Sequence, residues 1–329
     1  MERSVLVLQE QEIRQVLDMA SCIDAIEPAF ASYSSGLAEL PGVIHLNVPE
    51  HRGEIHVKAG HLRDQPFYAA KFSSGFYESV PAYDGLVVAF DARDGSPAAF
   101  LIDHGFITDI RTGAAGGVAA RHLAPSEVST VAVIGSGVQA RYQLDALAQV
   151  RGFEEVRVWG RSPERAAACV DELSTRERLP EGCAYLVASS VEQAVEGADV
   201  VVTCTASTEP LVRAEWLKPG SHVTALGSDG PDKRELDVAI LALADRLVCD
   251  SVAQCAAIGE LHHAIDAGVV GEADAVELGQ VIGGEEPGRS GPDQLTVCDL
   301  TGVGVQDVAA ALLVMSRAAE RGLGQRIAV

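Results

Sequence analysis

The sequence predicts an α/β protein with a Rossmann-type doubly wound parallel sheet in its second half and an α+β domain before it. From Thr130 onward, apolar runs such as TVAVIG, EVRVWG and DVVVTC alternate with helical stretches, which is typical of a parallel sheet covered on both faces. Between Pro41 and Asp103, short alternating runs bounded by Gly, Pro, Asn and Asp indicate a mixed or antiparallel sheet. The length of 329 residues suits two domains.

The spacing of apolar residues and the composition of turns predict the order of helices and strands. Apolar residues from Ile13 to Phe30 recur at helical spacings, which predicts a helical start over the first 35 residues. DARDGSP, from Asp91 to Pro97, has the composition of a hairpin turn. A connecting helix is predicted from Ile107 to Pro125, and the C-terminal residues are helical again and are expected to pack on the first domain. We therefore expect one domain over residues 1–118 plus 306–329, and the other over residues 119–305.

Composition excludes several classes of partner. The formal net charge of −22 repels nucleic acid and anionic membranes. No run approaches the roughly 20 apolar residues that span a bilayer, and the start, MERSVLVLQEQEIRQ, lacks the apolar core of a signal peptide. Seven scattered cysteines without a C-x-x-C pair are typical of reduced thiols. We expect a cytoplasmic protein that binds neither nucleic acid nor membrane.

The segment VAVIGSGVQAR predicts a dinucleotide site. Gly135 and Gly137 fit G-x-G-x-x-G/A, with Ala140 as the third small residue. A strand is predicted to end at Ile134 and a helix to begin near Val138, so that a pyrophosphate can lie on the helix N-terminus. A glycine turn without a dinucleotide is the alternative.

The next predicted strand bears on the choice of cofactor. Such strands usually end in an acid that binds the ribose hydroxyls, but EVRVWGRS ends in Gly160, Arg161 and Ser162. The arginine favours a 2′-phosphate and therefore NADPH, although a solvent-facing Arg161 would also tolerate NADH. The candidate cofactor-binding residues are Thr112, Gly135, Gly137, Val138, Gln139, Arg161, Ser162, Thr205, Ala206, Gly227, Ser228, Gly302 and Val303.

Three charged residues are candidates for chemistry. Lys71 lies among apolar and small residues in YAAKFSSGF, so it needs an anionic partner, which could be a substrate or a structural carboxylate. Arg111, in a small-residue helix, could hold a carboxylate in a bidentate manner. Asp229 follows a predicted parallel strand at its carboxyl end, where such sheets place reacting groups, although an Asp there also stabilises turns.

The nine histidines do not predict a metal site. His51, His56 and His61 lie five apart and alternate faces on a strand, so they do not converge. The sequence has neither H-E-x-x-H nor a Cys/His ligand spacing. For His262 and His263 we expect packing in the core or at a dimer contact, and we expect no metal.

Five segments together resemble the ornithine cyclodeaminase/mu-crystallin family along nearly the whole chain. They are AAKFSSGF, DIRTGAAGGVAARHLA, VAVIGSGVQAR, LGSDGPDKREL and DLTGVGVQD. The runs HLNVPEHRGEIHVKAG, GELHHAI and PGRSGPDQLTVCDLTGVGVQD are most similar to the ectoine-utilisation branch and to iminosuccinate reductases. The resemblance implies a homodimer whose first domain carries the substrate site and dimer contacts. It also implies that Lys71 and Arg111 hold an α-carboxylate and that Asp229 handles a proton at the substrate nitrogen.

The chain departs from the cyclodeaminases at two positions. Their early strand carries an arginine for the substrate carboxylate, whereas Leu40–Leu46 has none, and a glutamate of their next strand is best matched by His56. The leading hypothesis is therefore NAD(P)H-dependent reduction of a small α-imino acid, with Asp229 and Lys71 as catalytic residues and Lys71, Arg111 and His56 as substrate-binding residues. The alternatives are a cyclodeaminase with tightly bound NAD and an NADPH-dependent binding protein like mu-crystallin.

Overall fold

The computed structural model describes residues 4–76 and 78–328. It divides into two compact units: unit 1, Met1–Arg111 with Val303–Val329, and unit 2, Thr112–Gly302. The sequence had placed these boundaries at residues 118/119 and 305/306. Each unit contains a sheet of its own.

The secondary structure is as follows. The strands are β1 (Ser4–Gln9), β2 (Ala38–Glu39), β3 (Ile44–Val48), β4 (Gly53–Leu62), β5 (Phe67–Phe76), β6 (Tyr83–Asp91), β7 (Pro97–Ile102), β8 (Thr130–Ile134), β9 (Glu155–Trp159), β10 (Ala184–Val187), β11 (Val200–Thr203), β12 (His222–Ala225), β13 (Arg246–Cys249), β14 (Ala275–Glu277), β15 (Thr296–Asp299) and β16 (Gln325–Ala328). The helices are α1 (Glu10–Val16), α2 (Met19–Ser34), α3 (Phe106–Leu123), α4 (Val138–Val150), α5 (Pro163–Ser174), α6 (Val191–Val195), α7 (Val238–Leu243), α8 (Val252–Ile258), α9 (Glu260–Asp266), α10 (Leu278–Gly283) and α11 (Gly304–Arg321), with short 3₁₀ turns at Pro49–His51, Ala214–Trp216 and Glu272–Asp274.

Unit 1 is built on a mixed sheet in the order β16-β1-β7-β6-β5-β4-β2, with β3 paired to β4. The prediction of a mixed or antiparallel sheet after Pro41 is confirmed, and the DARDGSP turn joins β6 to β7. The helical prediction for the first 35 residues is wrong for Ser4–Gln9, which pairs in parallel with β7 and antiparallel with β16. This strand pairing overrides the local pattern because it buries Val5, Leu6 and Leu8.

Unit 2 is built on a parallel sheet in the order β10-β9-β8-β11-β12-β15-β13-β14. The predicted doubly wound α/β fold is confirmed. The continuous apolar run Val131–Ile134 of β8 is fully buried, as expected for a central strand covered on both faces. The neighbours of β8 are β9 on one side and β11 on the other, so the strand order reverses at β8. Such a reversal is where open α/β sheets bind ligands.

Helix α11 lies close against β4 within unit 1. A Cβ atom added at Gly304 would lie 2.7 Å from the carbonyl oxygen of Ala59, and one added at Gly60 would lie 3.2 Å from Cγ2 of Val308 on α11. Larger residues at either glycine would therefore move the helix off the strand. This close approach fixes the distance between the first turn of α11 and the sheet.

Two observations concern the chain as a whole. Among residues 4–76 and 78–328, no helix has both the length and the apolar composition needed to cross a membrane. The seven cysteines are free thiols, and five of them are buried.

The first prediction concerns the contact between α11 and β4. Gly304→Ala should lower the free energy of unfolding by about 1–3 kcal/mol, because the added methyl group overlaps backbone that cannot rotate away. Urea denaturation followed by circular dichroism measures this. Gly283→Ala, at the end of α10 where an added Cβ meets nothing within 4 Å, is the matched control and should be neutral or slightly stabilising. Equal stability of the two variants would contradict the proposed constraint.

Candidate active site

The predicted cofactor residues of unit 2 lie along one edge of its sheet. In the strand register, Trp159 of β9 pairs with Ile134 of β8, which pairs with Thr203 of β11. Thr203 pairs with Ala225 of β12, and Ala225 with Asp299 of β15. The five strands thus end level with one another, so the loops that follow them lie at one edge of the sheet. These loops contain Gly135, Gly137, Arg161, Ser162, Thr205, Ala206, Gly227, Ser228 and Gly302.

The turn after β8 requires glycine at its first position. Gly135 has φ = +127°, and a Cβ there would lie 2.7 Å from the Cys204 sulfur and 2.8 Å from the Cys204 carbonyl oxygen. Gly137 is the N-cap of α4, and a Cβ there would meet nothing within 4 Å. Gly137 thus gives no side-chain cap to the N-terminus of α4, and the space beside it suits the approach of a pyrophosphate to the first turn, which begins with Val138 and Gln139.

The end of β9 carries the residues that were expected to distinguish NADPH from NADH. Arg161 is exposed directly after the strand. Ser162 is the N-cap of α5: its hydroxyl accepts a hydrogen bond from the Arg165 N–H at 3.3 Å and donates one to the Glu164 carboxylate at 2.7 Å. Ser162 thus has a structural role in capping, which leaves Arg161 as the exposed cation of this loop.

Two buried carboxylates hold the loops at this edge of the sheet in place. Glu235 accepts hydrogen bonds from the Thr205 N–H at 2.6 Å and the Gly227 N–H at 2.8 Å, and so ties the loop after β11 to the loop after β12. Asp250 accepts from the Gly302 N–H at 2.6 Å and fixes the loop after β15. Burial raises the pKa of Glu235 although its hydrogen bonds oppose this. Neither acid was recognised from the sequence.

The other residues predicted in unit 2 have ordinary local partners. The Ser228 hydroxyl donates to the Lys233 carbonyl oxygen at 2.6 Å. Thr112, on α3, accepts a hydrogen bond at its carbonyl from the Gln143 amide of α4 at 2.9 Å. His262 and His263 are half-buried with their rings 5.2 Å apart, and they contact the carbonyl oxygens of Ala256 and Lys233. The two histidines thus have partners within unit 2, and any dimer contact by them stays a prediction.

Asp229 lies in the loop after β12, half exposed, and forms an ion pair with Lys233 four residues on. Its N–H donates to the Gly227 carbonyl oxygen at 3.1 Å, so the backbone is a turn while the carboxylate remains accessible. The turn-forming role and the proton-handling role are therefore compatible.

In unit 1, the structure brings Lys71 and Arg111 together on one acid. The Lys71 Nζ and the Arg111 Nε each lie 3.1 Å from the same Oδ1 atom of Asp307. Arg111 also donates a very short hydrogen bond to Gln306. Lys71, Arg111, Gln306 and Asp307 are all buried, and the last two lie in the first turn of α11. Lys71, Arg111 and Asp307 together carry one positive charge when Lys71 is protonated. Two further groups act on this cluster, Lys58 and the buried Asp103, and their charges are opposite in sign. One carboxylate would therefore neutralise the whole set.

Burial shifts the pKa values of this cluster. Desolvation, helped by repulsion from Arg111, lowers the pKa of Lys71 to about 7, against the opposing attraction of Asp307. The pKa of Asp307 is lowered because the neighbouring lysine and arginine charges outweigh its desolvation. Lys71 can therefore change its protonation state near neutral pH, which an ordinary surface lysine does not.

His56 lies on the same face of the sheet as Lys71. It pairs with Ser73, two residues from Lys71 on β5, and His45 of β3 pairs with His56 from the other side. His56 and His61 both belong to β4, five residues apart and so on opposite faces, as the sequence implied. His45 lies beside His56 because β3 pairs with β4, and this pairing could not be read from the sequence.

Asp307 is the functional candidate that the sequence analysis missed. A signal was present: the helix VQDVAAALLVM carries one carboxylate among apolar residues. A buried acid in such a setting needs a cationic partner, and the chain has only four lysines, of which Lys71 was already conspicuous. The pairing itself could not be predicted, because more than 230 residues separate the two.

Residues 3–322 match the ornithine cyclodeaminase/mu-crystallin family, and the chain belongs to this family. An archaeal alanine dehydrogenase dimer with bound NAD is 33% identical with a TM-score of 0.90, covering 99% of both chains. The iminosuccinate reductase of Paracoccus denitrificans in complex with NAD⁺ is 32% identical with a TM-score of 0.90, covering 99% of this chain and 100% of that one. An uncharacterised cyclodeaminase of Sinorhizobium fredii is 41% identical over 325 residues, 97% of each chain.

The second prediction concerns the pH dependence of carboxylate binding. Because the pKa of Lys71 is lowered to about 7, its ammonium group is present below that pH and is lost as the pH rises through it. The affinity for pyruvate, a carboxylate without a titrating amine, should therefore fall as the pH rises above about 7, by at most tenfold per pH unit. Titrations between pH 6 and 9 would measure this.

Lys71→Met, which keeps the side-chain length without the charge, is the control for this titration. It should bind pyruvate weakly and without the fall above pH 7, because Arg111 stays charged throughout. Burial raises the pKa of the neighbouring Asp103 to about 6, so the comparison is made above pH 7, where that carboxyl group is ionised in both proteins. The same slope in wild type and in Lys71→Met would mean that another group titrates.

Proposed function

We propose that this chain is an NAD(P)H-dependent reductase of a small α-imino acid. The observation that carries the proposal is the buried cluster of Lys71, Arg111 and Asp307, whose single excess positive charge suits one carboxylate. The level strand ends and the Gly135 turn of unit 2 suit a dinucleotide. The two NAD-bound relatives, a dehydrogenase of an amino acid and a reductase of an imino acid, support the same reaction class.

The residues divide the work between binding and proton transfer. Arg111 and Lys71 bind and orient the substrate α-carboxylate, and Asp307 keeps both cations in position. A bound nicotinamide dinucleotide supplies a hydride for the imine carbon. Asp229 donates a proton to the substrate nitrogen, so that the C=N bond becomes CH–NH and the charge balances. Gly135, Gly137 and the first turn of α4 would hold the cofactor pyrophosphate.

Two substrates are compatible with this proposal, and they differ in their side chains. The likeness to an iminosuccinate reductase favours an imino acid related to aspartate. The resemblance of the HLNVPEHRGEIHVKAG run to the ectoine-utilisation branch favours one related to diaminobutyrate. His56, on the same sheet face as Lys71, is the residue we propose to contact this part of the substrate.

We also propose that the chain forms a homodimer. The face of the unit 1 sheet opposite Lys71 carries the large apolar side chains of Ile44, Leu46, Phe72 and Phe100, all of them exposed. An exposed apolar face of this kind is typical of a subunit interface. The dimeric state of the archaeal alanine dehydrogenase supports a second copy of the chain as its partner.

A cyclodeaminase is the second candidate function, favoured by the Sinorhizobium fredii relative. Its cofactor would be oxidised and reduced again within one turnover, with release of ammonia. His56 at the place of the activating glutamate opposes it. The remaining alternative is a binding protein like mu-crystallin, which would bind NADPH without oxidising it.

The third prediction is the assay that separates these functions. Purified protein with NADPH or NADH is offered pyruvate, glyoxylate or oxaloacetate together with ammonia or methylamine, and absorbance at 340 nm is followed. Steady oxidation that needs both the carbonyl compound and the amine is expected. Ammonia release from ornithine or diaminobutyrate at catalytic NAD, without oxidation in the first assay, would replace the proposal by cyclodeamination. Cofactor binding without either reaction would indicate a binding protein.

Asp229→Asn should lower kcat in this assay by about 10²-fold or more, as loss of a general acid does, with cofactor affinity nearly unchanged. Lys233→Met is the control, since it removes the ion-pair partner of Asp229 and keeps the acid. Equal kcat in wild type and Asp229→Asn would remove Asp229 from the mechanism.

The fourth prediction concerns cofactor choice. Arg161→Ala should raise the Kd for NADPH more than that for NADH, because only NADPH carries a 2′-phosphate for the guanidinium. Quenching of protein fluorescence by each nucleotide would give both constants. Arg165→Ala, four residues on in the first turn of α5, is the control for a general loss of positive charge. A similar loss for both nucleotides in Arg161→Ala would show that Arg161 does not bind the 2′-phosphate.

A further inference from the structure

Two histidines and a glutamate converge on the β3–β4 hairpin of unit 1. The Nε2 atom of His45 lies 3.8 Å, and that of His56 3.7 Å, from the same Oε2 atom of Glu54. The two imidazole rings are stacked, with their centroids 4.4 Å apart. One nitrogen from each ring and one carboxylate oxygen all lie within 4.8 Å of one another.

Strand pairing explains this convergence. His45 is the direct cross-strand partner of His56, and Glu54 lies two residues before His56 on β4, so all three side chains share one face. On the neighbouring strand β5, the partners of Glu54 and His56 are Gly75 and Ser73. These residues are small, and the Tyr83 ring of β6 lies over Gly75, with its Cε1 atom 3.2 Å from the position that a Cβ would take there. The side chains of His45, Glu54 and His56 are 47%, 30% and 32% exposed, so the cluster is accessible yet partly ordered by its surroundings.

We propose that His45, Glu54 and His56 form a binding site for a divalent transition-metal ion of the Zn²⁺ class. Two imidazole nitrogens and one carboxylate oxygen are a ligand set that Zn²⁺ uses, at metal–ligand distances of about 2.0–2.2 Å. Ligand atoms around such an ion lie roughly 3.3–3.6 Å apart, as those distances and tetrahedral or trigonal angles require. The two nitrogen–oxygen separations of 3.7 and 3.8 Å therefore need a contraction of a few tenths of an ångström. The two imidazole nitrogens, which lie within 4.8 Å of each other, need a contraction of up to about 1.5 Å to reach the same spacing.

The charges favour a cation over an anion at this position. With both imidazoles neutral, as metal ligation requires, Glu54 gives the cluster one negative charge. An anionic ligand would approach this carboxylate at a cost, whereas a divalent ion would be bound by it. Lys58, two residues beyond His56 on the same face, reduces the attraction. Three protein ligands leave a coordination position open for water or a small acid. When an ion is bound, the contact that we propose between His56 and the substrate would be made through this position, so the inference rests on the proposed function only for that contact.

The donor set also narrows the class of ion. Imidazole ligands suit Zn²⁺, Cu²⁺, Ni²⁺ and Co²⁺, whereas Mg²⁺ and Ca²⁺ prefer sites built of oxygen. The site should therefore discriminate against Mg²⁺. The alternative role of the cluster, in which Glu54 simply pairs with protonated histidines, predicts no metal selectivity at all.

The experiment is a titration of the untagged, full-length chain with Co²⁺, followed by visible absorption, and with Zn²⁺, followed by calorimetry. One ion per chain should bind, and Mg²⁺ in excess should not displace it. Glu54→Gln and His56→Asn should each weaken Zn²⁺ binding by about tenfold or more, since even outer partners of metal ligands contribute 10–100-fold. Thermal unfolding curves of the variants establish that they are folded, and the readout does not depend on enzymatic activity.

His104→Ala is the matched control, because His104 also pairs with a carboxylate, that of Asp84, at 2.8 Å on the surface of unit 1. It should leave the affinity for Zn²⁺ unchanged. Binding of no ion by the wild type, or equal affinity in wild type and in folded Glu54→Gln, would overturn the proposal. A loss in His104→Ala as large as in His56→Asn would do the same, since it would indicate scattered surface binding.

Discussion

The buried ion cluster of Lys71, Arg111 and Asp307 is the interaction on which unit 1 depends. Each cation alone would be costly to bury, and the shared carboxylate makes the burial possible. Removal of one member of such a buried set typically costs about 3–5 kcal/mol, because a charge is left uncompensated. The cluster joins Lys71 of β5, Arg111 of α3 and Asp307 in the first turn of α11. The three side chains to which we assign carboxylate binding are thus the same ones that stabilise unit 1.

Unit 2 uses the same principle with backbone donors in place of cations. Glu235 and Asp250 are buried acids whose oxygens accept N–H groups from the loops after β11, β12 and β15. A loop held by a buried carboxylate has few alternative conformations, because release would leave the acid without its hydrogen bonds. The loops at this edge of the sheet are therefore held in place by two acids that are themselves buried.

Much of this architecture could be predicted from the sequence. The continuous apolar runs and the Gly135 turn identify the parallel sheet and the edge at which such sheets bind ligands, because both features are local in the chain. The pairing of Asp307 with Lys71 and the convergence of His45 with His56 could not be predicted, since they depend on helix placement and strand register. Ser4–Gln9 was misassigned for a related reason: its partners, β7 and β16, lie far away in the sequence. Glu235 was missed because its role is to bind backbone, for which the sequence has no motif.

The position of Asp307 in the chain has a consequence for biosynthesis. Residues 112–302 leave the ribosome before α11 does, so unit 2 is complete while Lys71 and Arg111 still lack their acid. Domains generally fold as units while synthesis proceeds, but unit 1 has to wait for its final helix and for β16, the partner of β1. During this interval Lys71 of β5 and Arg111 of α3 lack their carboxylate, and β1 is an open edge strand. A chain that stalls or is truncated before Gly304 would therefore present a folded dinucleotide unit attached to an unfinished, aggregation-prone partner.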